Sequence, residues 1–243
     1  MNSTALTQPG FHNFDRTHLL VMALTVAVPL LLAWIARRTR SEVFVRMAYW
    51  ILAVILGANF VARYIHLHIY GQLTIVRLLP MQLCDWALVV TIGALLTRSQ
   101  RWFELAYFWG LGGTFQAIIT PNLTCGFPTF TFLSFFLTHS GIVAAVLFLL
   151  FATSLRPHPI SLLRVLLWSE IYLACALLAN WLSGANYGFL SRKPTGTSIL
   201  GRLSDISWTY VLEINALTVV LFAVLYFPFL CCDFASSWRK SKN

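Results

Sequence analysis

The sequence predicts an all-α, polytopic membrane bundle of seven transmembrane helices, and three observations carry that prediction. Hydrophobic residues make up 58% of the 243-residue chain and charged residues only 10%, for a mean hydropathy of +0.75. No water-soluble domain needs so much apolar sequence. The apolar residues fall in runs of about 20, enough for a helix to cross the hydrocarbon layer with every backbone polar group satisfied internally. The basic residues between the runs are unequally divided between the two sides, as membrane orientation demands.

The polar N-terminus places Asp15 and Arg16 ahead of the first run. It lacks the basic start and small-residue cleavage site of a removable signal, so 19–36 is expected to persist as the first span. The second would be short if it stopped at Arg63 and is therefore carried over 47–70, with Arg63 turned into the bundle or snorkelling. The third, 78–97, opens with LLPMQLCDWALVV; the fourth is 102–119 and the fifth 130–153. The sixth, 162–182, leads through a long loop, 183–205, to the seventh at 208–232. That loop and TPNLTCGFP at 120–128 are rich in Gly, Pro, Ser and Asn, which marks irregular backbone of the kind that carries function above a rigid bundle. All of 1–243 reads as one integral membrane domain without internal repeats.

With the N-terminus outside and the C-terminus cytoplasmic, 11 of the 17 Lys and Arg residues lie on the inner side. The net charge of +9 is thus explained by orientation in a cell membrane. A basic face interleaved with stacking aromatics is missing, so nucleic acid is not an expected partner. The five cysteines have neither zinc nor disulfide spacing, and the two imidazoles of HLH at 66–68 point about 200° apart on a helix, so no metal is expected. The lysines, Lys193, Lys240 and Lys242, all lie outside the spans, which excludes a retinal Schiff base; no cofactor is expected at all. Cys231 and Cys232 offer a lipidation site and NLT at 122–124 a glycosylation acceptor, both weak motifs.

Ionisable groups inside a membrane are costly and mark functional sites. On this topology Cys84 and Asp85 lie roughly 9–10 Å below the outer end of the third span, and His139 roughly 13–14 Å below that of the fifth. Gln82, Gln116, Asn180, Glu213 and Asn215 enter the same outer slab, with Arg63 near it and Asn122 and Tyr187 in the loops above. The expected result is a polar cavity opening to the outer leaflet. Glu104 and Glu170 fall in the inner half, outside it. Each group also has a plainer role: buried amides tie helices together, a thiol packs like a small hydrophobe, and Asp85 or Glu213 pairs with Arg63. Gln82 and Cys84 stand about 200° apart on a helix, so one of them is structural, Gln82 first.

A thiol and an imidazole in one cavity can perform acyl transfer. The imidazole takes the thiol proton and returns it to the leaving group; a carboxylate or amide (Asp85, Glu213 or Asn180) would fix its tautomer. In a lipid-facing cavity the acyl group is a fatty acyl chain, held as a thioester on Cys84. LLPMQLCDWALVV, FELAYFWGLGGTFQAIITPNL, FPTFTFLSFFLTHSGIV and NWLSGANYGFLSRKP together resemble bacterial multi-pass proteins of the YwaF type, over about residues 17 to 232. Those proteins are similar in turn to the eukaryotic transmembrane protein 164 family, through Pro-x-x-x-Cys and the later His. The resemblance implies fatty-acyl transfer among membrane phospholipids as donor and acceptor, with Cys84 as the essential cysteine and His139 as its partner. Where the eukaryotic pattern has His after the Cys, this chain has Asp85. The alternatives are a non-catalytic transporter or small-molecule or lipid-binding protein using the same slab, and a scaffold whose outer loops meet a partner.

Overall fold

A computed structural model describes residues 10–194 and 199–241, with side chains through 234. The described residues are helical throughout apart from turns and one isolated bridge between Gly10 and Cys125. The helices are α1 (Arg16–Thr39), α2 (Glu42–Ile69), α3 (Ile75–Leu78), α4 (Leu83–Thr97), α5 (Gln100–Phe108), α6 (Phe115–Ile119), α7 (Phe130–Ala152), α8 (Pro159–Ser183) and α9 (Ser207–Ser241). A π-helical segment, Trp109–Thr114, joins α5 to α6. Among the described residues six helical stretches are long and apolar enough to cross a membrane, counting Ile75–Thr97 as one, which marks a multi-pass membrane protein.

Local chemistry explains the ends. Asp15, Ser41 and Thr129 accept the N–H groups of His18, Phe44 and Phe132, capping α1, α2 and α7. Pro159 opens α8, and Gly184 at φ 69° closes it in the left-handed conformation that glycine tolerates. Several helices extend beyond the expected bounds: α1 starts three residues before 19, α2 five before 47, and α9 continues to Ser241, while α2 runs unbroken past Arg63 as expected.

Two expected spans differ in kind. The fourth, 102–119, is not a regular helix but α5, the π segment WGLGGT and α6 in succession, and it is absent from the six. Its glycines allow close approach: a Cβ on Gly110 would stand 3.2 Å from Ile142 and Val146, and one on Gly113 2.6 Å from Leu83. The third, 78–97, is interrupted. Leu79 is extended because it precedes Pro80, and helix resumes only at Leu83.

α7 is the hub, packed against α1, α2, α4, α5 and α6. The core around it is built from Leu56, Phe103, Phe108, Trp109, Ile142 and Phe148, all fully buried. Lipid is as apolar as these side chains, so shape complementarity and dispersion hold the helices together. Gly93 on α4 tests that statement: a Cβ there would lie 2.9 Å from the Trp102 ring. Gly93→Ala is expected to destabilise the detergent-solubilised protein by about 1–3 kcal/mol through overpacking, read as a lowered unfolding midpoint. Midway along α5, buried Glu104 accepts from Arg164 at 3.3 Å and Gln100 at 3.0 Å, anchoring α5 to α8, while Glu170 is exposed. Both lie outside the polar cluster described next.

Candidate functional site

The interruption between α3 and α4 organises the site. Four residues, Leu79 to Gln82, leave the helix inside an apolar stretch, so their backbone groups need partners that lipid cannot supply. Some partners are local, the Met81 N–H donating to Leu79 O (2.9 Å) and Gln82 O accepting the Asp85 N–H (3.0 Å), and α8 and the loop after it brace the segment further. Tyr172 donates its hydroxyl to the Met81 carbonyl (3.2 Å), Tyr187 donates to that of Ile75 (3.4 Å), and the Gly188 N–H donates to Gln82 Oε1 (3.0 Å). Asn180 in turn locks the loop: its Nδ2 donates to Tyr187 O and its Oδ1 accepts the Tyr187 N–H.

The break changes where the reactive groups stand. Cys84 is the second residue of α4 rather than two turns inside a helix, and it is half-buried. Gln82 is the extended residue before the helix (φ −74°, ψ 147°), so the helical angle argument that opposed it to Cys84 does not apply. Asp85, 3% exposed, has two partners. Arg63 Nη2 donates to its Oδ1 at 2.7 Å, and the Gln82 N–H donates to Oδ2 at 3.2 Å, as in a capping box. Arg63 therefore points into the bundle, with its guanidinium 5.5 Å from the Phe60 ring centre and 5.3 Å from that of Tyr64. The field at the Cys84 sulfur comes from Asp85, Arg63 and the first-turn N–H groups of residues 84 and 85.

On α7, His139 is 7% exposed and stacked on Phe135 with ring centres 4.0 Å apart. Its Nδ1 lies 2.7 Å from the Phe135 carbonyl. A carbonyl only accepts, so Nδ1 carries the proton and Nε2 presents a lone pair. The backbone, not Asp85, Glu213 or Asn180, orients this ring. Its neighbours tether α7 to two helices: Thr138 accepts from Asn59 Nδ2 (2.8 Å), and Ser140 accepts from the Thr25 hydroxyl (2.8 Å). Arg63 interacts electrostatically with His139 as well as with Cys84 and Asp85, joining α2, α4 and α7.

Of the residues expected in the cavity, the structure thus links Gln82, Cys84, Asp85, Arg63, Asn180 and Tyr187 through direct bonds or shared fields. Three stand elsewhere. Asn122 is exposed in its loop; Glu213 accepts the Ser204 N–H at 2.6 Å; Gln116 is half-buried on α6, with no side-chain bond to the cluster among the described residues. Tyr172, Tyr64 and Asn59 belong to the neighbourhood and were not expected. Asn59, an amide within ILGANFVARY, was the one signal available for them. His18, also unexpected, is structural: Nδ1 accepts the Phe14 N–H and Nε2 donates to Ile118 O.

Gly188 provides a local test. It has φ 64°, and a Cβ would meet the Tyr172 hydroxyl at 2.7 Å. Gly188→Ala should disturb two of these three bonds, those of Tyr172 and of the residue 188 N–H, and lower stability by about 1–3 kcal/mol, measured by denaturant unfolding in micelles.

The sequence profile of the TMEM164 family matches residues 13–226. An uncharacterized protein of Treponema pallidum (strain Nichols) is 34% identical over 151 residues, 62% of each chain, so this chain covers about three fifths of that relative. No solved structure matches.

Proposed function

This chain belongs to the TMEM164 family, and from that premise we propose that it is a membrane-embedded acyltransferase or transacylase acting on phospholipids through Cys84 and His139. One observation supports this most: a cysteine in the first turn of an interrupted helix, beside the Arg63–Asp85 pair, and an Nδ1-protonated histidine on α7, which packs against that helix.

The reaction follows from those groups. His139 Nε2 takes the Cys84 proton as sulfur attacks the ester carbonyl of a donor phospholipid, and first-turn N–H groups face the developing oxyanion. The ester C–O bond breaks, the histidine returns the proton to the leaving oxygen, and a lysophospholipid departs from the Cys84 thioester. An acceptor hydroxyl then attacks the thioester, its proton passes to Nε2 and on to sulfur, and the free thiol is regenerated. On the charge asymmetry the chain crosses a cell membrane seven times, with the N-terminus outside and the site toward the outer leaflet. A membrane lipid, rather than soluble acyl-CoA, is then the acyl donor. The finer likeness to the YwaF-type proteins belongs to the same reading.

The test is chemical. Purified protein incubated with a phospholipid labelled in one acyl chain should gain the mass of that acyl group at Cys84, in a form that neutral hydroxylamine releases. Acylation elsewhere, or none while transfer proceeds, rejects the mechanism. The interrupted helix also favours a second reading, since broken helices form the solute sites of transporters. Saturable solute binding that survives loss of Cys84, with no acyl adduct, would select it.

A further inference from the structure

At the opposite end of α4 from Cys84, the α1–α2 turn and the end of α4 border an open cavity of about 360 Å³ lined by the exposed Arg37, Arg40, Arg46 and Arg98, with Ser41 and Thr153. Cys84 and Arg98 are fourteen residues apart, roughly 21 Å along the axis, so this cavity is separate from the site described above.

Backbone geometry fixes the positions of two of the four arginines. Arg40 closes α1 and Arg98 closes α4, at φ 51° and 52°, each returning its N–H to the carbonyl four residues earlier. Left-handed caps of this kind favour glycine or asparagine, so turn chemistry does not explain an arginine at both. Arg37 donates through Nε to the Phe151 carbonyl, and Arg46 rises from the second turn of α2. Among the described residues none of the four forms an ion pair with a carboxylate. Glu42 is the lone acidic residue of the lining, which leaves three positive charges uncompensated. The N-terminus of α2 opens here too and adds its own positive end.

A second, shallow depression of about 510 Å³, lined by one face of α2 alone, shares Glu42 and Arg46 with the first and continues over Val43, Met47, Trp50 and Ile51. These four apolar side chains are 54–68% exposed along the outward face of α2. A phosphate alone would use only the basic cavity. An amphiphile with a phosphate head and an acyl tail uses both, because arginine forks match phosphate and the tail covers α2. We propose that this is a binding site for an anionic phospholipid, its phosphate held by Arg37, Arg40, Arg46 and Arg98 and one acyl chain lying on α2. The inference stands apart from the acyl-transfer reading, since neither Cys84 nor His139 takes part.

The experiment is lipid retention by the full-length, delipidated protein in neutral detergent, read by native mass spectrometry. Dioleoyl-phosphatidylglycerol, dioleoyl-phosphatidylcholine and soluble glycerol phosphate are titrated separately. One phosphatidylglycerol should be retained at least about tenfold more tightly than phosphatidylcholine, with glycerol phosphate a weak competitor. Arg40→Asn with Arg98→Asn removes two charges yet suits the left-handed caps, and should abolish the preference while circular dichroism stays unchanged. Arg38→Gln with Arg101→Gln, the same charge change outside the cavity, should leave it intact. Trp50→Ala should weaken phosphatidylglycerol and leave glycerol phosphate unaffected. No headgroup preference, equal loss in the Arg38/Arg101 control, or glycerol phosphate binding as tightly as the lipid would each overturn the proposal.

Discussion

Cys84→Ala is expected to lower acyl transfer by at least about a thousandfold while leaving the bundle folded. The two halves of that expectation have separate causes. Alanine is the best helix former and stands at the second position of α4, where the half-buried thiol gives way to a smaller side chain. The interruption is held by Tyr172, Tyr187 and Gly188, none of which bonds the sulfur, so the local backbone keeps its supports. Loss of the nucleophile, by contrast, removes the thioester and with it both half-reactions. His139→Gln should lower the rate by about a hundred to ten thousandfold, since proton transfer is lost while the thiol remains. Cys175→Ala supplies the control: half-buried on α8, it should retain parental turnover. The readout is transfer of a labelled acyl chain between phospholipids in reconstituted vesicles. Parental turnover by the Cys84 variant would end the catalytic reading, and equal losses in all three variants would point to damage of the fold.

The second large effect concerns the Arg63–Asp85 pair. Removing either partner alone should destabilise the protein by about 3–5 kcal/mol, because the survivor is left as an uncompensated charge inside the bundle. Asp85 is the more sensitive member. It is 3% exposed, whereas the Arg63 side chain is 32% exposed, and its carboxylate also caps α4 through the Gln82 N–H. Asp85→Leu should therefore be the worse single change, and Arg63→Leu the milder, since the stranded carboxyl can take up a proton. The double Leu variant should recover most of the stability lost, as replacing a buried pair by apolar side chains is often nearly neutral. Unfolding in mixed micelles measures all three. Single variants within about 0.5 kcal/mol of the parent would show that the pair does not brace α2 against α4. The double variant also separates stability from chemistry: if Arg63 acts on Cys84 and His139, a refolded double variant remains slow.

Much of the architecture was legible because burial in lipid leaves a strong mark on composition. The apolar runs located the six long helices, whereas the caps at Asp15, Ser41 and Thr129 and the opening Pro159 set starts that hydropathy does not mark. The fourth run was harder. It reads as a span by length and its flanking apolar residues, yet the glycines of WGLGGT lie against side chains of α4, α7 and α9, and the helix takes the π form there. Pro80 was a readable signal for the interruption before α4, and hydropathy averaging conceals it. Among the polar residues, Gln82 and Asp85 lie beside Cys84 by sequence alone, whereas the bonds of Glu213, Asn122 and Gln116 were not readable, because depth along a helix says nothing of rotation about it.

What the sequence determined by itself was therefore the class of the molecule, the positions of its apolar helices and the short set of polar residues that a membrane would not carry without reason. Those follow from transfer between water and lipid, which acts residue by residue. Only the tertiary structure decided which partners those residues have: Asp85 on Arg63, His139 on the Phe135 carbonyl, Asn180 on Tyr187, and four arginines around one cavity. Hydrogen bonds and ion pairs depend on angstrom distances between segments far apart in the chain, and hydropathy carries no term for them.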